Sequence, residues 1–462
     1  MRFLLFGTGE YYNRYKIWFE KKDVVALIDN SKEKQGYYID DILVIAPENV
    51  LQYEFDAIII LSFYVKMMRV QLLDLGVSEE KIYHFFDLHD LIGTPSKKCR
   101  RVCVDNAGNL RVNKKILLLS HDLTLGGPAI ALYHAAQALI KKGYHVVYVS
   151  MLDGPLRDIL TREGIPAVID ENLMIATMKE SDWVREYNFI ICNTMNFHVF
   201  LSEREPEIPV AWWLHDAPFF YDGVRQETMD KLVSHNMKIW SVGPIPEKAL
   251  KIFRPDFHVE YLLYGVTDQF RRVGKIVQSG RHHNKMCFTV IGYIEYRKGQ
   301  DILLKAIQRL NPEIRKRARF IFVGENTSLL AKEIMESAKD ISEIIISGPV
   351  GRNEINCILE QTDILVCPSR EDPMPTVAAE AMMHSIPCLI SDTAGTAEYI
   401  RDGIDGIIFP SENVNRLRSA LEDCIVGKFD LQIMGNNARR VYEKYFSMDA
   451  FEERLMSLIF NH

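Results

Sequence analysis

Short apolar runs, each followed by a stretch with helical spacing, recur along the whole chain. "RFLLF" from Arg2 to Phe6, "VVALI" from Val24 to Ile28 and "AIIILS" from Ala57 to Ser62 read as strands buried on both faces. The pattern restarts with "KILLLS" at Lys115 and again with "CFTVI" at Cys287. Strands that alternate with helices pair in parallel beneath helical layers, so the expected fold class is α/β, in three blocks. The expected boundaries are a first block over 1–92, a linker over 93–113, a second block over 114–270, a third over 271–445, and a last helix over 446–462 from the amphipathic "MDAFEERLMSLIF". Between Gly93 and Lys115 the chain has no helical period and carries seven Lys or Arg against one Asp, which reads as a basic linker with a short hairpin around "NAGN".

In the third block, "DILVCPS" from Asp363 to Ser369 predicts a strand and "TVAAEAMMHS" from Thr376 to Ser385 a helix, since the latter has good helix formers and no internal Gly or Pro. The "DPMP" between them cannot be helical throughout, because proline disfavours helix in the residue before it. Asp372 is thus expected in a stiff loop at the carboxyl edge of the sheet, where open α/β sheets bind ligands. Glu380 is expected one turn into the helix, about 6 Å from Thr376 at roughly 1.5 Å per residue. The helix start offers unpaired N–H groups to a phosphate, and a carboxylate at Glu380 can accept bonds from two adjoining sugar hydroxyls. A nucleotide sugar is a ligand with that shape.

Composition limits the alternatives. A chain of 462 residues with 48% hydrophobic and 25% charged side chains is long enough for two or three packed domains. Its formal net charge of -7 lacks the basic excess of a nucleic-acid binder. The opening "MRFLLFGTGE" has no basic region ahead of a long apolar core, and no run approaches a membrane span, so a cytoplasmic protein is expected, with peripheral contact at the inner membrane face left open. The eight cysteines are scattered without a zinc-type pair, and Cys192, Cys287, Cys367 and Cys388 fall in strand-like runs as packing residues.

Asp372 and Glu380, with seven residues between them, resemble the acid-x7-acid signature of family-4 retaining glycosyltransferases, enzymes of the two-domain GT-B fold. "VIGYIEYRKGQDILLKAIQRL" resembles the segment whose basic residues grip the donor diphosphate, and "SDTAGTAEYIRDGIDGIIF" the Gly-rich unit that follows the acid motif. The likeness covers about Lys114 to the C-terminus. It implies that Lys298 and Arg297 hold the diphosphate, that Asp372 with the backbone of Met374, Pro375, Thr376 and Val377 orients the sugar, and that Glu380 holds the ribose. Gly395 and Glu398 match the base and diphosphate side, the Gly126–Gly127 loop closes on the donor phosphates, and His215 lies near the transferred sugar. The family usually has Glu where Asp372 stands, and often Arg where Tyr293 stands. Taken by themselves, "YRKG" also reads as a solvated turn, Gly126–Gly127 as an ordinary turn, His215 as a packed histidine, and Glu398 as a helix cap.

The resemblance implies transfer from a nucleoside diphosphate sugar, UDP-sugar favoured over GDP-sugar, to a saccharide, lipid-linked or protein acceptor. It implies retention of configuration, no metal and no other cofactor, in bacterial polysaccharide or glycoconjugate assembly; a homo-oligomer is left open. The first block has Gly7 and Gly9 without a third glycine, and Asp29 ends its second strand, a partial dinucleotide fingerprint. That block resembles small nucleotide-binding domains attached to sugar-modifying enzymes such as sugar acyltransferases, which makes Gly7, Gly9 and Asp29 a candidate second nucleotide site. Two other classes compete: an oxidoreductase using the first block, and a non-catalytic sugar-nucleotide-binding partner of a transferase.

Overall fold

The computed structural model describes residues 1–93, 100–104, 115–269 and 285–460. The hairpin expected around Asn106 lies outside them. Each block forms its own sheet. The first has six strands in the order Tyr38–Ile39, Ile42–Ile45, Val24–Ile28, Phe3–Phe6, Ala57–Ile60, Ile82–His84, parallel except for the hairpin at its first edge. The second has eight, in the order Val259–Tyr261, Met237–Ser241, Val210–Leu214, Phe189–Asn193, Lys115–Ser120, His145–Ser150, Ala167–Asp170, Arg100–Val104. The third runs Ile344–Ser347, Ala318–Val323, Met286–Ile291, Ile364–Cys367, Cys388–Ser391, Ile407–Phe409.

The stretch expected to be a linker contributes a strand. Arg100–Val104 pairs antiparallel with Ala167–Asp170 at the edge of the second sheet. An edge strand needs one neighbour and tolerates charge, so its two leading arginines read as linker.

In every sheet the first of the parallel strands lies inside, with the next parallel strands on one side and the later ones on the other. The reversal of winding opens a crevice at the carboxyl ends of the two central strands. The switch points fall between Phe3–Phe6 and Ala57–Ile60, between Lys115–Ser120 and Phe189–Asn193, and between Met286–Ile291 and Ile364–Cys367.

The chain divides into two compact units: Met1–Ile239 with Lys248–Val259, and Trp240–Glu247 with Glu260–His462. In the first unit one apolar cluster runs from Phe3 and Leu5 of the first sheet to Leu117 and Leu119 of the second. Phe63 meets Phe220 edge-on at 4.9 Å, and Phe86 meets His198 edge-on at 4.6 Å. Polar pairs surround these rings. Arg225 bonds Asp87 at 2.8 Å and lies over the Tyr83 ring at 4.8 Å, and Lys66 pairs with Asp222 at 2.7 Å. Burial pushes the Asp87 carboxyl up to about 6, against the opposing pull of the His84 amide and Arg225.

The second unit is built on the third sheet, with Phe288, Phe320 and Phe322 in its core. Its last helix, Met448–Phe460, packs Phe451 against Gly265, and the Val266 N–H donates to the Phe446 carbonyl at 2.7 Å. Cys192, Cys287, Cys367 and Cys388 are buried free thiols. Among the described residues, no helix is long and apolar enough to cross a membrane.

Candidate functional site

Two loops meet at the switch point of the third sheet. The first leaves strand Met286–Ile291 through Gly292 and an exposed Tyr293, turns over Tyr296–Lys298, and enters helix Gln300–Gln308. Gly299 makes that entry in a left-handed conformation, φ 70°, and a Cβ there would collide with the Pro368 carbonyl oxygen. Only glycine permits the turn to lie this tightly on the end of strand Ile364–Cys367. The second loop, Ser369–Pro375, is thereby held beside the first. Lys298 Nζ stands 2.5 Å from Asp372 Oδ2, with the Asp372 side chain only 7% exposed. A fixed cation therefore lies at the carboxyl edge of the sheet, oriented by a buried carboxylate.

Arg297 braces the same junction. Its Nη2 donates to Glu295 at 2.7 Å and its Nη1 to the Glu371 carbonyl at 3.2 Å. Arg370 is a tie that no local sequence pattern marks. It forks onto both Asp301 oxygens at 2.7 and 2.8 Å, bonds the Tyr296 carbonyl at 2.7 Å, and covers the Tyr296 ring at 3.8 Å. The bond from Asp301 raises the Arg370 pKa further above its ordinary value, and burial opposes it. Removing one member of this part-buried pair leaves the other charge poorly compensated. Arg370→Met is therefore expected to lower unfolding free energy by about 3 kcal/mol, and Arg370→Met with Asp301→Leu by less than the sum of the two single changes. Urea denaturation of the four proteins checks this; additive losses would show that the fork is not coupled.

The acid loop leads into helix Thr376–Met383, capped by Pro375. Met374 is buried, with the Thr396 hydroxyl on its sulfur at 3.3 Å. Gly395 donates its N–H to the Asp372 carbonyl at 2.8 Å, and a Cβ there would collide with the Pro373 carbonyl oxygen. Thr376 and Val377 form the half-buried first turn, and Glu380 is buried one turn further in. The Tyr264 hydroxyl is pushed well above its ordinary pKa by burial first, then by the charges of Asp372 and Glu380, so a neutral phenol lies beside both acids. Glu398 is exposed on the Gly395–Tyr399 turn. The third block thus carries Lys298, Arg297, Asp372, Met374, Pro375, Thr376, Val377, Glu380 and Gly395 on loops and a helix start at the carboxyl edge of one sheet.

The second sheet's switch point holds a polar group of its own. His121 Nε2 lies 3.2 Å from Asp122 Oδ2, and the Thr194 hydroxyl 3.4 Å from His121 Nδ1. Burial alone would lower the His121 pKa, but the Asp122 bond together with the charges of Asp122 and Asp216 outweighs it, and the imidazole is raised. Burial works against the Asp122 carboxylate, yet His121 and Thr124 hold it well below the usual range. Thr194 carries φ 80°, a left-handed backbone costing about 1–3 kcal/mol that persists where its surroundings over-determine it. Its N–H donates to the Trp213 carbonyl at 2.8 Å, and its own carbonyl accepts from Trp212 Nε1 at 2.8 Å.

Gly126 caps helix Gly127–Lys141, and Asn193 ties the Pro128 carbonyl to the strand end at 2.8 Å. His215 Nε2 is buried without a hydrogen-bond partner among the described residues. Burial, and then the His121 charge, hold its pKa down to about 3, so the imidazole is neutral. Asp216 accepts the Met195 N–H at 2.7 Å. His121 and Asp122 stand in "KILLLSHD" directly after the central strand, where open α/β sheets place ligand-binding residues.

In the first block, the Asp29 carboxylate accepts from the Thr8 hydroxyl, the Ser31 N–H at 2.9 Å and Lys34 Nζ at 3.1 Å. Gly7 makes its turn at φ 108°, and Gly9 precedes a helix of six residues with Glu10 in its first turn. An acid at that position opposes an anion.

Similarity to known proteins follows the same divisions. The family described as "Glycosyl transferases group 1" matches residues 275–441, and "Glycosyl-transferase family 4" matches 112–240. The chain is a glycosyltransferase of the GT-B fold. A separate family, "C2185-like, N-terminal", matches residues 1–83 of this glycosyltransferase. Spore coat protein SA of Bacillus subtilis is 23% identical over 72% of this chain and 94% of its own length. The alpha-D-kanosaminyltransferase of Streptomyces kanamyceticus is 22% identical over 57% of this chain and 73% of its own. Among solved structures, Anabaena HepE in complex with UDP and glucose superposes with a TM-score of 0.60, at 16% identity, over 75% of this chain and 99% of that one. A glycosyltransferase from Rickettsia africae gives 0.61 at 14% identity, over 76% and 100%. At these identities the structural likeness is one of fold.

Proposed function

We propose that this glycosyltransferase moves a sugar from a nucleoside diphosphate sugar, a UDP-sugar before a GDP-sugar, to an acceptor hydroxyl with retention of anomeric configuration. The contact of Lys298 with Asp372 carries the reading, because it puts a fixed cation and a buried acid together at a switch point beside a helix start. The diphosphate lies on Lys298 and the N–H groups of Thr376 and Val377, with Arg297 adding a second positive charge. Glu380 accepts the ribose hydroxyls, Asp372 orients the sugar, and Gly395 and Glu398 border the base and diphosphate.

In the reaction the acceptor oxygen bonds to the anomeric carbon, and the bond from that carbon to the phosphate oxygen breaks with its electron pair leaving on the diphosphate. Negative charge thus develops where Lys298 is fixed, so the cation stabilises the transition state more than the bound donor. The proton of the acceptor hydroxyl passes to the departing phosphate oxygen. By the family resemblance Gly126 and Gly127 serve the donor phosphates and His215 the transferred sugar, His215 as a hydrogen-bonding group that stays uncharged through the ordinary pH range. No residue here is assigned to a metal, and the similarity of HepE, whose structure contains UDP, supports the choice of base.

A thermal-shift screen of the full chain against UDP, GDP, ADP, dTDP and their sugar conjugates tests the reading. One nucleotide set, expected to be the UDP set, should raise Tm, and Glu380→Ala should remove most of that shift. Stabilisation of equal size in Glu380→Ala would move the nucleotide elsewhere, with the Gly7, Gly9 and Asp29 turn as the remaining candidate.

A further inference from the structure

The first block packs aromatic rings against the segment that directly follows His215 and Asp216. Tyr11 follows the Gly7–Gly9 turn, and its ring is fixed by stacking on Phe85 at 5.1 Å, an edge contact with Phe63 at 5.2 Å, and the Arg14 guanidinium at 5.1 Å. Its hydroxyl has no hydrogen-bond partner among the described residues. Phe63 continues the contact to Phe220 at 4.9 Å and Phe219 at 6.5 Å, which lie within four residues of Asp216 in the chain. Burial raises the Tyr11 hydroxyl pKa to about 12, and among the charges that act on it are those of Asp122 and Asp216. Arg14 likewise acts on His121. Next to Phe63, Tyr64 is 63% exposed and sets its ring at 5.5 Å from a half-buried Phe219.

These groups suit a carbohydrate. A pyranose ring presents an apolar C–H face that lies on an aromatic ring, and hydroxyls at its edge that meet carboxylates, imidazole and phenol. An acyl chain would instead call for a wholly apolar groove, which Asp122, Asp216 and His121 do not make. We propose that the first block builds the outer wall of the acceptor site, with Tyr64 and Phe219 stacking on the second sugar of an oligosaccharide acceptor and the Tyr11 hydroxyl bonding one of its hydroxyls. This rests on the glycosyltransferase reading above and assigns the first block to acceptor selection.

The test is saturation-transfer NMR titration of the full chain with the methyl glycosides of glucose, galactose, mannose and N-acetylglucosamine, and with disaccharides of the same four sugars. Wild type, Tyr64→Ala and Tyr11→Phe are compared, and UDP and GDP stabilisation is recorded for each. At least one disaccharide is expected to bind wild type about tenfold more tightly than its methyl glycoside. Tyr64→Ala should bring that ratio near one, and Tyr11→Phe should reduce it several-fold, with nucleotide stabilisation unchanged in both. Ratios equal to wild type in both variants overturn the wall, as does a wild type that prefers no disaccharide while a nucleotide still stabilises it. A wild type stabilised by none of the nucleotides in the thermal screen overturns the transferase reading itself, and the wall with it.

Discussion

Lys298→Met is expected to lower kcat by about 10²–10³-fold with the nucleotide sugar identified by the thermal screen. The size follows from where the charge stands. Lys298 is held on a buried carboxylate at the sheet edge, so it need not reorganise as charge builds on the departing diphosphate. The substitution also leaves Asp372 unpaired, which by itself costs stability. Lys298→Met combined with Asp372→Asn isolates the stability effect: the double variant should regain Tm, while its kcat stays low because it lacks both the cation and the sugar-orienting acid. Recovery of kcat in the double variant, or a loss under tenfold in the single one, would show that the lysine only neutralises Asp372.

Phe63→Ala is expected to cost about 3–5 kcal/mol, the usual range for removing a large buried aromatic ring. Phe63 is 9% exposed and touches rings of both the first and second blocks, among them Tyr11, Phe85 and Phe220. Because one apolar cluster spans both sheets, the loss should be shared. Hydrogen exchange should show strands Phe3–Phe6 and Lys115–Ser120 losing protection together. If Phe3–Phe6 opens while Lys115–Ser120 keeps its protection, the first block is an independent module. By the same reasoning, a chain cut to begin at Lys115 should aggregate, since it would expose the apolar face that Phe63, Phe85 and Phe86 cover.

Much of the proposed donor site was legible in the chain itself. Glu380 falls inside a helix and Asp372 ahead of it because "DPMP" bars a helix that "TVAAEAMM" then starts, and both properties are local. Gly395 was marked by resemblance, and the structure supplies the cause: the turn after Ser391 passes so close to Pro373 that a side chain has no room. Arg370 escaped notice because its partner, Asp301, is 69 residues away, and a lone arginine beside an acidic pair looks like surface charge. Arg100–Val104 was read as linker for a similar reason, as its strand identity depends on a neighbour supplied by Ala167–Asp170.

By itself the sequence determined the α/β class, the three sheet-forming blocks, and the loops on which most residues of the proposed donor site stand, because periodicity, proline and glycine act within a few residues of where they occur. Only the tertiary structure decided which loops face each other. It brought Lys298 to Asp372 across 74 residues, Thr194 to His121 across 73, and Phe63 against Phe220 at the junction of two blocks. Such contacts follow from strand order and from the burial of one sheet's face on another element, and no local pattern along the chain records either.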